Sequence, residues 1–139
     1  MNAKKLLHRL LQIISVATLI SGLVQMIHPA LVLHLVSAEV TPATQQWFGT
    51  IGMFMALFGG MLLHVLFQRD LFATHPPSSV PSPVFLWAGL QKLFASVAVG
   101  IGVSHHLIGA LALGIAGFDL LSGILILVFL RMLKQQGAA

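Results

Sequence analysis

Cysteine is absent from this chain of 139 residues. Its absence removes disulfides, thiol redox chemistry, iron–sulfur ligation and thiolate zinc sites from consideration. Charge is almost as scarce: 7% of the residues are Asp, Glu, Lys or Arg, against about one-quarter in a soluble domain. The three acids are scattered through the chain, so there is no carboxylate dyad. The sequence also lacks a nucleophile–base pair and a phosphate-cradling loop. Apart from Lys92, the basic residues behind its net charge of +4 lie at the ends of apolar runs. Such residues form no stripe for nucleic acid and bear instead on membrane orientation.

What is present is apolar. Hydrophobic residues make up 58% of the chain and mean hydropathy is +0.99, which together with the scarcity of charge defines an integral membrane protein. By length it is a single domain, residues 1–139. The longest apolar stretch runs from Pro83 to Leu130 and is interrupted near its middle by Ser104-His105-His106. Each half is long enough to cross a bilayer, which takes about 20 residues per helix. The halves therefore read as two spans folded back through a tight turn at the two histidines. Each carries one charge, Lys92 in the first and Asp119 in the second, equally far from a fold placed between His105 and His106. They are expected to meet at matched depth. A charged side chain at mid-bilayer costs about 2.5–3.5 kcal/mol even on lenient scales, so such groups face a bundle interior or a wet cavity.

Taken in order, the basic segment 1–9 precedes an apolar run from Leu10 to Ile27. A retained first span is expected. The competing reading is a signal peptide with Val36-Ser37-Ala38 as its cleavage site. His28-Pro29 ends the run, because proline disfavours a helical residue before it. Residues 30–40 are apolar but too short to span, and are expected to lie along the membrane surface. Thr41-Pro42 reads as a helix start, opening a second span over 43–68. The Ser- and Pro-rich segment 69–82 is a linker. Ser82-Pro83 opens span three, 83–103, and span four covers 107–130. The expected fold is thus all-α: an up-down bundle of four transmembrane helices, with a short interfacial segment after the first. With four spans, Lys4, Lys5, Arg9, Arg69, Arg131 and Lys134 share one side, so both termini and the 69–82 loop are expected in the cytoplasm.

Small residues form ridges on each span: Ser15, Thr18, Gly22, Gln25; Gly52, Ala56, Gly60, His64; Ala88, Lys92, Ser96, Gly100; and Ala112, Ala116, Asp119, Gly123. Such ridges let helices approach closely where lipid supplies no hydrophobic drive. The same ridges hold the intramembrane polar groups. Lys92, Asp119, Gln91, His64 and Gln25 are therefore the expected ligand-binding residues; the competing readings of Lys92 and Asp119 are an ion pair that only locks spans three and four together, and a snorkelling Lys92 with Asp119 unpaired. No catalytic residue is expected.

Of the seven histidines, His8 and His75 read as solvated. His28, His34, His105 and His106 are expected on the outer face with Glu39, and imidazole suits Zn or Cu. Their spacing matches no established metal motif and adjacent histidines seldom chelate one ion, so they are weak metal candidates. Haem needs an axial ligand, and no second intramembrane histidine sits at the depth of His64. Trp47 and Trp87 read as interfacial anchors. Met53, Phe54, Met55 and Met61 read as lipid-facing or core filler.

The glycine-bearing stretch Phe48–Leu63 and the string Trp87-Ala88-Gly89-Leu90-Gln91-Lys92 carry a family likeness. From about Leu10 to Leu130 the layout resembles the small four-span bacterial proteins grouped as DoxX-like. Those have a first span ending near a proline, a glycine-rich second span and short polar motifs inside the bundle. The resemblance implies a bacterial inner-membrane location. Some members are linked to quinone-coupled sulfur oxidation or partner redox enzymes, but no residue here supplies that chemistry, and only the architecture is carried over. The function expected is a small inner-membrane accessory protein whose polar cluster holds a lipophilic ligand or a partner helix. A quinone-linked redox subunit and a small oligomeric transporter are the alternatives. The cofactor is left open: quinone stays a candidate, and haem or a bound metal is not expected. The expected partners are the lipid bilayer and another membrane protein or further copies of the chain, and nucleic acid is not among them.

Overall fold

The computed structural model describes residues 3–68 and 82–136. Among these the chain is all-helical: α1 (Ala3–Ile27), α2 (Pro29–Leu35), α3 (Pro42–Gln68), α4 (Ser82–Ser104) and α5 (Ala112–Gln136). Four of the helices are long and apolar enough to cross a membrane. Residues 69–81, including His75 and most of the expected linker, lie outside the described residues.

Local chemistry sets the boundaries. Pro29 stands at the first turn of α2, and His28 before it leaves the helical region at φ −128°. Thr41 and Thr44 cap α3 reciprocally. The Thr44 N–H donates to Thr41 Oγ1 at 3.1 Å and the Thr41 N–H to Thr44 Oγ1 at 2.8 Å. This is the capping-box pattern with threonine in place of the usual Glu or Gln.

Helices α2 and α4 end alike. Ser37 (φ 52°) and His106 (φ 58°) occupy the left-handed region. After α2, the Ala38 N–H reaches the Leu33 carbonyl and the Ser37 N–H that of His34. After α4, the Leu107 N–H reaches Gly102 and the His106 N–H reaches Val103. Both are Schellman closures, usually built on glycine. A left-handed non-glycine residue costs roughly 1–2 kcal/mol. His106→Gly is therefore expected to raise stability by about 1 kcal/mol, measured as a higher midpoint in detergent unfolding followed by circular dichroism.

The His105–His106 turn is wider than expected. Span four does not begin at Leu107: α5 starts at Ala112, and residues 105–111 form the connection. The cause is the closure at His106, followed by a tether. The Gly109 N–H donates to the Val36 carbonyl at 2.6 Å, and Ile108 folds back against Gly102. Only beyond Gly109 do the amides of Ala112, Leu113 and Gly114 find carbonyls three residues back.

The long helices associate chiefly as two antiparallel pairs, α1 with α3 and α4 with α5. In the first pair Gly22 meets Gly52 and Ala56, while Gly59 meets Ser15 and Leu19. In the second, Gly89 lies against Gly123. The pairs join through a core of Leu11, Ile14, Leu62, Leu66, Phe85, Phe129 and neighbouring aliphatics. This core fills the end of the molecule where α1 and α4 start and α3 and α5 finish. His8, expected to be solvated, is half-buried beside this core: its ring stacks on Phe129 with centroids 6.0 Å apart, and its Nε2–H donates to the Leu66 carbonyl at 3.1 Å. A helix end leaves carbonyls without partners, which is why a side chain from α1 is drawn to the last turns of α3.

Candidate functional site

Lys92 on α4 and Asp119 on α5 meet where the two helices run side by side. Lys92 Nζ donates to Asp119 Oδ1 at 2.5 Å, with the side chains 4% and 6% exposed. It is the one salt bridge among the described residues. Small residues make the meeting possible: Gly89 and Gly123 let the backbones close up on one side, and Ala116 is buried on the other. Lys92 Nζ also lies 5.3 Å from the centroid of the Phe118 ring, a favourable placement for a desolvated cation. An ammonium has three donors and a carboxylate two oxygens. One donor and one oxygen are engaged. The others make no hydrogen bond to any described residue.

The pair forms part of the wall of a cavity of about 470 Å³, within the range of small-molecule sites. Its lining comes from every helix. Ile20 and Val24 come from α1, Val32 and Leu35 from α2, Met55 from α3, and Ile115 and Phe118 from α5. Most of the surface is aliphatic or aromatic, and the polar part of the lining is Thr18, Ser21, Gln25, Lys92 and Asp119. Ile20 and Val24 of α1, Leu35 of α2, and Ile115 and Phe118 of α5 are also exposed, so the cavity is open to the surface along these helices. A much smaller space of about 10 Å³ lies on the other side of Lys92, toward the core, lined by Ser15, Gly59 and Gln91 among others.

Thr18 borders both spaces. It is 4% exposed, and its Oγ1 has no hydrogen-bond partner. Three other hydroxyls on these helices are satisfied by their own backbone: Ser15 donates to Leu11 at 2.7 Å, Thr50 to Gln46 at 2.9 Å and Ser104 to Ile101 at 2.7 Å. A buried polar group without a partner is rare in proteins and costly. Sequence reading placed Thr18 on the packing ridge of α1 and missed it as a site residue. Its place on that ridge, one turn from Gly22, was the available signal.

The remaining expected residues divide. Gln25 lines the same cavity and donates from Nε2 to the Phe48 carbonyl at 3.0 Å. Gln91 lines the small space behind Lys92. His64 is exposed on α3 and lines neither cavity. The ridge that carried it, Gly52, Ala56, Gly60, His64, is replaced by Gly52, Ala56, Gly59 and Leu62. Each four-residue step overshoots a helical turn by about 40°, so three steps carry His64 about 120° off the packed face. Ridges mixing steps of three and four stay in phase. Ser15, Thr18, Gly22 and Gln25 are all buried, as are Ala112, Ala116, Asp119 and Gly123.

His28, His34, His105, His106 and Glu39 are exposed. Among the described residues no three of His, Asp or Glu come together in a group that could hold a metal ion. Trp47 and Trp87 are exposed on α3 and α4, and Met53, Phe54 and Met61 face outward on α3. Comparison of the chain with protein-family models, curated proteins and solved structures found no match.

Proposed function

We propose that this chain is a small multi-pass membrane protein that holds a lipophilic ligand, with Lys92 and Asp119 as the polar end of its site. One observation carries the reading: a partly satisfied, buried ion pair forms part of the wall of a largely apolar cavity of about 470 Å³ that opens on its side. A pair serving only to lock α4 to α5 has no need of adjoining space. The four long helices form an up-down bundle in this reading, as in the DoxX-like proteins that the sequence resembles. The basic residues put both termini in the cytoplasm of a bacterial cell, with α2 and residues 105–111 at the outer face of its inner membrane. Asp119, Lys92, Thr18 and Gln25 make up the ligand site, and Gln91 backs Lys92 from behind.

The test is extraction of the purified protein and identification of what co-purifies by mass spectrometry. A defined amphiphile is expected at near one equivalent in the native chain, and at less than about one-tenth of that in Lys92→Met with Asp119→Leu, because both polar anchors are then gone. Equal recovery from the two proteins would place the binding elsewhere. A quinone among the extracted molecules would turn the reading toward a redox subunit.

A further inference from the structure

The groups around the cavity say what kind of head the ligand carries. This inference rests on the binding reading above and narrows it. The site's formal charge is zero: Lys92 and Asp119 neutralise one another at contact distance, and no other Asp, Glu, Lys or Arg lines the cavity. What remains unmet is hydrogen bonding. Lys92 has donors left over and Asp119 an oxygen, and the Thr18 hydroxyl has no partner. We infer that the cavity takes an uncharged amphiphile, one medium-length alkyl chain bearing a hydroxyl head, with the hydroxyl seated among Lys92, Asp119 and Thr18.

The chemistry favours a hydroxyl on two counts. It is donor and acceptor at once, so it can donate to the free Asp119 oxygen while accepting from Lys92 or from Thr18. It also brings no charge. A carboxylate would be drawn to Lys92 and repelled by Asp119 at nearly the same distance, so the two effects largely cancel. The loss of its hydration would then stand uncompensated in an apolar enclosure. An ammonium head meets the mirror-image problem. The chain of the ligand would lie along Val24, Val32, Leu35 and Ile115, the apolar part of the lining. Its volume suits one alkyl chain, and the exposed lining of α1, α2 and α5 lets that chain in from lipid.

The full-length protein in lipid nanodiscs tests this with three photoactivatable probes of equal alkyl length: a diazirine-bearing dodecanol, dodecanoate and dodecylammonium. Labelled residues are mapped by peptide mass spectrometry, and affinities are read by competition with the unlabelled compounds. Dodecanol is expected to label α1 and α5 around Val24 and Ile115, and to bind at least about ten-fold more tightly than either charged probe. Thr18→Val should weaken dodecanol about five- to ten-fold, the effect of one lost hydrogen bond. This variant keeps the side-chain shape and removes a hydroxyl that has no protein partner, so it folds at least as well as the native chain.

A charged probe binding as tightly as dodecanol at the same residues would overturn the neutral-head assignment and leave the cavity as a ligand site. Unchanged dodecanol affinity in Thr18→Val would overturn the seating of the hydroxyl. Labelling spread evenly over the outward helix faces for all three probes would overturn both this inference and the binding reading beneath it.

Discussion

Lys92→Met alone should lower the stability of the protein by about 3–5 kcal/mol, and adding Asp119→Leu should restore most of that loss. The asymmetry follows from where the charges sit. With Lys92 gone, the Asp119 carboxylate stays enclosed by apolar neighbours on α4 and α5 with no counter-charge, and the penalty for a lone charge at that depth falls on the fold. With both gone, two apolar side chains of similar size fill the space, and the electrostatic cost disappears with the attraction. Unfolding in a gradient of denaturing detergent, followed by helix content, gives the four corners of a double-mutant cycle. Additive single and double effects would mean that the two side chains do not interact. Exchange of the pair, Lys92→Asp with Asp119→Lys, is a stricter version: partial recovery relative to either single change requires direct contact.

The second large effect belongs to the contact between α1 and α3. A Cβ added at Gly22 would stand 2.5 Å from the Ala56 nitrogen and 2.7 Å from the Gly52 oxygen. One added at Gly52 would stand 2.5 Å from the Met26 nitrogen and 2.7 Å from the Gly22 oxygen. All of these are backbone atoms, so no rotamer change relieves the clash and the helices must separate. Between helices in lipid, attraction comes from close packing, since moving apolar surface from lipid to protein gains nothing. Separation therefore removes most of what joins the pair. Gly22→Val and Gly52→Val are each expected to cost about 3 kcal/mol or more, the upper end of overpacking effects. Gly117→Ala supplies the contrast. An added Cβ there meets nothing within 4 Å, and alanine is favoured over glycine in a helix by about 1 kcal/mol, so a slight gain is expected. Thermal unfolding of the three variants in one detergent decides the matter. A gain at Gly22 and Gly52 like the one at Gly117 would show that helix propensity, and not helix separation, governs the result.

The meeting of Lys92 and Asp119 was legible in the sequence because it needs only two facts: one charge per half of an apolar run, and a reversal at its centre. Position along two antiparallel helices does the rest, and it survived a connection longer than the one expected. The ridges were legible to the extent that their spacing kept pace with the helix. The alternating spacings on α1 and α5 located the buried face, while the strict fours on α3 carried His64 away from it. What the sequence could not show is the cavity. A void is a property of how several helices diverge, and no residue encodes it singly. Thr18 stayed hidden for the same reason, since its spacing is that of a packing residue and only the coordinates show its hydroxyl without a partner. The placement of His8 against Leu66 and Phe129 likewise depends on three helices meeting at one end.

The amide of Gly109, bound to the carbonyl of Val36, ties the end of α2 to the loop beyond α4. Val36 directly follows α2, whose Val32 and Leu35 line one side of the hollow. Lifting that short helix means cutting a backbone bond to the loop beyond α4. The gap flanked by Ile20 and Ile115 has no such stitch among the described residues. On the binding reading proposed above, an occupant of the hollow would come and go without lifting α2, and its supply would be set by what is dissolved in the bilayer and not by what is dissolved in the water outside it.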